Sequence, residues 1–343
     1  MNKQTKKIVL NIRRMILSIH LENQTMILVG IFIFLLLFFG ITEGGFLTTR
    51  SVTSMAFQLP EIGILSLGMM ITVLIGGINL SINATANLSA VISGFFLLKF
   101  LPASADTNQI ILYIGLSYLI ALLVGLISGA MNGFLVGYLN APPILATLAT
   151  MTFFTGLSVG LTKGRTVTGF PDQANIIGSK TLLGVPIPFV VFVAVTIITY
   201  FLLNKSTYGF KVRMLGTNPT ASKFSGIDNK KIIMKVFMYS GLMASVSGIL
   251  IMSRTMSAAY QYGASTYVLL TILIGVLAGV IAGFGNVFNV FVTVLILQII
   301  STGFHMMLAG VHGSSFFKDF VWGLLLIIIF VINYFSRKKN STE

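Results

Sequence analysis

Charge is what this chain lacks. Only 9% of its 343 residues are Asp, Glu, Lys or Arg, and 55% are hydrophobic. A soluble chain carries roughly 25% charged residues. So little charge cannot keep a chain of this length in water, which leaves an integral membrane protein. At about 20 apolar residues per crossing plus short loops, there is room for roughly ten helices. The 22 basic residues exceed the 8 acidic ones, for a formal charge of +14. That excess sits in loops and tails, as a topology signal does, so no nucleic-acid partner is expected. With no cysteine, disulfide scaffolds, thiolate metal sites and cysteine nucleophiles are excluded.

Apolar windows place spans near 26–41, 55–76, 84–98, 110–138, 143–162, 186–203, 232–252, 268–283, 287–304 and 319–335. The third, eighth and ninth are short and interrupted by Asn or Gly, as tilted or broken helices are. The expected fold is all-α and polytopic, with about ten transmembrane helices, some short or broken, in one transmembrane domain over 26–336. Ahead of it, residues 1–25 place Ile8, Ile12, Met15 and Ile19 at helical spacing, opposite Asn11, Arg14 and Ser18. That pattern suits a cytoplasmic amphipathic segment on the inner leaflet. No small-x-small cleavage site follows the first apolar run before Gly44, so this run is expected to remain as an anchor.

Ten spans put both termini and the 204–231 loop on one side. That side holds five basic residues at the N-terminus, seven from Lys205 to Lys235 and three at 337–339, fifteen in all. The other side holds Arg50, Lys99, Lys163, Arg165, Lys180, Arg254 and Lys318, seven in all. Positive-inside bias then makes both termini, including the 337–343 tail, cytoplasmic. A missed span in the 163–185 loop would break that parity.

Of the eight acids only Glu61 falls well inside a span. Carriers driven by protons or cations usually need intramembrane carboxylates, so an ion-coupled carrier is disfavoured. Gly160 to Arg165 lacks the Gly-Lys-Ser/Thr ending of a phosphate-binding loop. His20, His305 and His312 have no ligand spacing, and no hydrolase elbow or carboxylate pair is present. No catalytic residue, metal or cofactor is expected in this chain, and energy must come from elsewhere.

Three features carry information. In Gly76-Gly77-Ile78-Asn79-Leu80-Ser81-Ile82-Asn83, followed by Asn87, two glycines and then polar side chains interrupt apolar sequence. Such a break faces protein or a wet cavity, either as a translocation path or as a tight turn capped by Asn79 or Ser81. Gly125, Gly129, Gly133 and Gly137, with Asn132 beside them, make a smooth helix face for close packing, and Gly275, Gly279 and Gly283 repeat the spacing. The 204–231 loop contains Asn218 as N-cap, Pro219 at the first helical position and Gly226 as stop, which predicts a short helix over 219–225. Exposed Phe224 and Ile227 in a basic loop suit docking into a groove of another protein.

These pieces together resemble the permease subunits of bacterial ABC importers for simple sugars, the ribose-type family, autoinducer-2 permeases included. Family members carry Gly-Gly-Ile-Asp-Leu-Ser-Val-Gly where this chain has Gly76 to Asn83. They carry Asn-Gly-x-Leu-Val and Pro-Pro-x-Ile-x-Thr-Leu-x-Thr-Met, similar to Asn132–Val136 and Pro142–Met151. Gly169-Phe170-Pro171-Asp172, Gly216-x-Asn218-Pro219-x-Ala221, Gly226-Ile227 and Ser240-Gly241-Leu242 look like theirs too. The resemblance implies a second permease (homodimer or heterodimer), two cytoplasmic ATP-binding subunits that hold ATP and Mg, and an extracytoplasmic binding protein delivering a sugar. It implies that Gly216, Asn218, Pro219, Ala221, Phe224, Gly226 and Ile227 form the coupling helix region that meets the ATPase. Asn79, Ser81, Asn83, Asn87 and Asn132 are the translocation-path candidates.

The chain departs from the pattern at Asn79 and Asn83, where relatives have Asp and Gly, at 268–274, and at Gly283-Phe284-Gly285. Those departures suit the more divergent half of a permease heterodimer. Nucleoside or branched-chain amino acid cargo is the alternative within importers, since nothing in the sequence reads a hydroxyl pattern.

Overall fold

A computed structural model describes residues 24–102, 104–308 and 323–324. The amphipathic N-terminal segment, the tenth span at 319–335, His20, His312 and the tail lie outside the described residues. The long helices are α1 (Gln24–Thr42), α2 (Thr49–Leu74), α3 (Ile82–Phe100), α4 (Thr107–Gly137), α5 (Pro143–Thr162), α7 (Ile187–Asn204), α10 (Asn229–Thr255) and α12 (Val287–Met307). These eight have the length and apolarity to cross a membrane. Between them lie the short helices α6 (Ile176–Ser179), α8 (Thr207–Thr217), α9 (Pro219–Phe224) and α11 (Ala264–Leu277).

Two spans are longer than the hydropathy windows predict. The third runs unbroken for 19 residues and the ninth for 21. In α3 the residues that lower local hydropathy, Asn83, Thr85, Asn87 and Ser89, are all buried against protein. A window scan reads them as a break, whereas the helix only turns them inward. The eighth span is indeed short, at 14 residues.

Helix α2 is the centre, its core side packed against α7, α10, α11 and α12. Ile64, Leu67, Met70, Ile71 and Leu74 join Phe192, Val236, Leu273 and Val290 in the largest apolar cluster. The α4 glycines behave as the spacing predicts. A Cβ on Gly129 would fall on the Phe237 carbonyl and 2.8 Å from Met238 Cα, and one on Gly133 would lie 2.7 Å from Met234 Cα. Backbone thus meets backbone between α4 and α10. The second glycine series makes no such face: α11 ends at Leu277, and Gly279 and Gly283 sit in turns with φ of +69° and +82°.

Chain ends of these helices sort to two sides. Leu74, Gly137, Asn204, α8, α9, Asn229 and the 278–286 turn gather at one, here the basic end. The 163–186 segment stays at the other. There β1 (Val167–Thr168) pairs antiparallel with β4 (Ser257–Ala258), β2 (Thr181–Leu182) pairs with β3 (Val185–Pro186), and Ser253 Oγ donates to the Ala174 carbonyl. This segment adds no crossing, so the parity of the spans holds among the described residues.

Candidate functional site

Two irregular segments interrupt the helices, and both are satisfied from inside the subunit. After Leu74 the backbone leaves helix, and Gly76 takes a φ of +80°, which a side chain would resist. Asn79 Oδ1 accepts from Ser81 N (3.1 Å) and Ser81 Oγ (2.8 Å), while its Nδ2 donates to Ser240 Oγ on α10 (2.9 Å). Asn132 of α4 donates to Ser81 Oγ (2.8 Å) and accepts from Thr150 Oγ1 of α5 (2.6 Å). One network therefore joins α3, α4, α5 and α10 around the break. Helix α3 starts level with Gly68, since Ile82 Cδ1 would lie 3.0 Å from a Cβ there. That is six residues before α2 ends, or about 9 Å inside its end.

The second irregular stretch, 256–263, leads from the end of α10 back inward to the start of α11. Its carbonyls lack helical donors, and α3 supplies them. Asn83 Nδ2 donates to the Tyr262 and Ala264 carbonyls (2.9 Å each), and Asn87 Nδ2 to those of Tyr260 (2.8 Å) and Tyr262 (2.9 Å). Non-helical backbone at membrane depth is tolerated only where protein or water satisfies it. All five path candidates are buried and hydrogen-bonded within the subunit, with Asn83 Oδ1 left without a partner among the described residues, and none of them lines the two cavities described below.

The same re-entrant stretch frames a site that sequence reasoning missed. Glu61 of α2, 2% exposed, receives Arg254 Nε at 2.5 Å. Arg254 Nη2 donates to Tyr262 Oη (2.7 Å), and the hydroxyls of Tyr262 (3.3 Å) and Tyr267 (3.2 Å) donate to Glu61 Oε2. Arg254 closes the last turn of α10 rather than standing free in a loop. The signal was available: an isolated carboxylate inside a span needs a cation, and Arg254 ends the neighbouring span. This cluster walls a cavity of about 210 Å³ between α2, α11 and α12. A wider one of about 580 Å³, bordered by Arg50, Ser54 and His305, adjoins it towards the end away from α8 and α9.

At the basic end, α8 and α9 form a compact unit. Ser206 caps α8 through Gly209 N (3.2 Å), and Asn218 caps α9 through Ala221 N (3.0 Å), with Pro219 at its first position. Gly226 stops it with a φ of +78°. Asn229 fastens α9 to the start of α10, donating to the Pro219 carbonyl (2.8 Å) and accepting from Ser222 Oγ (2.8 Å). The Asp228 carboxyl caps α10 and is held below its ordinary value, first by the Lys231 backbone N–H.

Helix α8 is set against the transmembrane core. A Cβ on Gly216 would strike the Leu74 carbonyl and lie 2.5 Å from Gly283 N. Gly283 N itself donates to the Leu74 carbonyl (2.8 Å), and Arg213 reaches the Gly285 carbonyl (3.0 Å) and Asn204 (2.9 Å). Phe224 stands 88% exposed beside the exposed Ala221, as the sequence leads one to expect. Ile227 is not exposed as expected: it is half-buried and packs on the main core cluster.

The sequence matches a known set of proteins. The family described as "Branched-chain amino acid transport system / permease component" matches residues 51–330. The chain belongs to this permease family. Among its relatives is the ribose import permease protein RbsC of Bacillus subtilis, 29% identical over 317 residues, 91% of this chain and 92% of that one. The D-allose transport system permease protein AlsC of Escherichia coli is 28% identical over 284 residues, 82% of each chain. The autoinducer 2 import system permease protein LsrD of Escherichia coli is 25% identical over 289 residues, 82% of this chain and 83% of that one. No solved structure matches. As a member of the permease family the chain is a multi-pass membrane transport subunit, not an enzyme.

Proposed function

We propose that this permease forms the membrane pathway of an ATP-driven importer for a simple sugar or sugar-like signal. The observation that carries the reading is the near full-length similarity to permeases named for ribose, D-allose and autoinducer 2. The family description names branched-chain amino acids instead, which makes those the competing cargo.

The energetics favour an outside energy source. Among the described residues, the carboxylate buried within a span is Glu61, and Arg254 neutralises it. An ion-coupled carrier needs a carboxylate whose charge changes hands with the coupling ion, and a salt-bridged one is poorly suited to that. Cytoplasmic ATP-binding subunits, carrying ATP and Mg, would supply the work through α9. Phe224 would enter their groove, Asn218, Pro219 and Gly226 would shape the helix, and Gly216 would transmit its movement to the end of α2. The basic end is then cytoplasmic, consistent with fifteen basic residues against seven.

A second permease subunit completes the pathway. On the exposed side of α5, Gly156 and Gly160 have nothing within 4 Å of an added Cβ, a small-residue face that another helix could approach. Asn79, Ser81, Asn83, Asn87 and Asn132 serve the path as positioning residues that hold the two helix breaks open. An extracytoplasmic binding protein would deliver the cargo to the opposite end.

The test is uptake into proteoliposomes containing the chain with the ATPase, permease partner and binding protein that co-purify with it. ATP-dependent accumulation of labelled D-ribose or D-allose is expected. Accumulation of L-valine instead, or of sugar without ATP, would refute it.

A further inference from the structure

We propose that the cavity beside Glu61 and Arg254 is a binding site for hydroxylated cargo inside the single subunit, a deepening of the importer reading on which it rests. Three observations point there. The ion pair is the first. Taking a carboxylate and a guanidinium out of water costs more than a well-packed apolar pair of equal volume would, so packing alone does not explain it. Within a membrane span such a pair marks a functional site by default.

The lining is the second. Glu61, Arg254, Tyr262 and Gln298 give the lining its polar groups, and Leu270 and Val294 give it aliphatic surface. Neighbouring hydroxyls on a sugar ring can donate to the carboxylate and accept from the guanidinium together, while the ring's C–H face lies on the aliphatic wall. Arg254 stays 28% exposed where Glu61 is 2% exposed, so the cation keeps a face towards the cavity. The volume, about 210 Å³, is that of roughly seven waters, comparable to one monosaccharide.

Access is the third. Gln58 and Ser301 line both this cavity and the wider one of about 580 Å³, so the two are contiguous. A solute entering past Arg50 and His305 meets the ion pair at the inner end. Glu61 also lies on α2, whose last residue touches α8 through Gly216, so one helix connects the cavity to the coupling unit. The site should be weak, near millimolar, because cargo must leave it.

The chain has no cysteine, so Gln298→Cys supplies its sole thiol. In proteoliposomes holding the full complex, a membrane-impermeant thiol reagent is applied from the binding-protein side, and modification of this chain is read by intact mass. D-ribose or D-allose at about twice its dissociation constant should slow modification about threefold. Gln58→Leu, a change at an exposed side chain that leaves folding intact, should weaken that protection, read as the ratio of protected to unprotected rate within the variant. Glu61→Gln should do the same if it folds. A thiol that never reacts, protection by none of the sugars, or equal protection by L-valine would overturn the site. ATP-driven sugar uptake, measured in the same vesicles, separates the two readings. Uptake without protection refutes the site and leaves the importer standing, whereas absence of uptake with any cargo refutes the importer.

Discussion

Glu61 shows how a single residue can be legible in type and yet not in role. Its lone position inside a span is plain in the sequence, but the partner that neutralises it lies 193 residues away, at the end of α10. Periodicity and hydropathy report which face a residue takes, not which distant face it meets. Removing one member of a buried pair leaves the other uncompensated, so Arg254→Leu should cost about 3–5 kcal/mol. A differential scanning melt in detergent would read this, and Arg254→Leu with Glu61→Leu should recover most of it. The α4 glycines were legible to the level of mechanism, because a strict spacing of four leaves backbone approach as its main physical use. Gly129→Val would drive Cβ into the Phe237 carbonyl, for a loss of about 1–3 kcal/mol. Gly160→Val, with nothing within 4 Å, should not lower the melting temperature of the isolated subunit.

Among the elements, helices α8 and α9 carry the sharpest expectation. Local cap chemistry at Asn218, Pro219 and Gly226 located α9 almost to the residue, since such signals act over one turn. The seating of α8 against Leu74 and Gly283 depends on tertiary approach and left no local trace beyond a glycine. Phe224→Asp should leave the melt unchanged and lower ATP-driven uptake about tenfold or more, because an aromatic anchor at an interface carries ~2 kcal/mol or more. Gly226→Trp, at a φ of +78°, should uncouple hydrolysis from uptake as well. In the re-entrant stretch, Asn87→Leu would strip a donor shared by the Tyr260 and Tyr262 carbonyls. A cost of about 1–3 kcal/mol is expected, with faster hydrogen exchange confined to 256–264. Span lengths failed in the sequence where this chemistry lies: α3 looked broken because its polar side chains serve other segments.

For the whole molecule, composition alone set the class, and hydropathy windows located the eight long apolar helices among the described residues. Which surfaces meet partners did not, because lipid and a second subunit both select apolar, small-residue faces. One link ties ATP hydrolysis to cargo in the proposed importer, from an ATPase groove through Phe224 and Gly216 to α2 and the cavity beside Glu61. The direct test is uptake of labelled D-ribose or D-allose by the reconstituted complex, with ATP hydrolysis followed in parallel, for the wild-type chain and Phe224→Asp. The expected result is ATP-dependent accumulation by the wild type and, in the variant, a folded complex with uptake down about tenfold or more. Undiminished uptake in Phe224→Asp, or sugar accumulation that needs no ATPase, would contradict it.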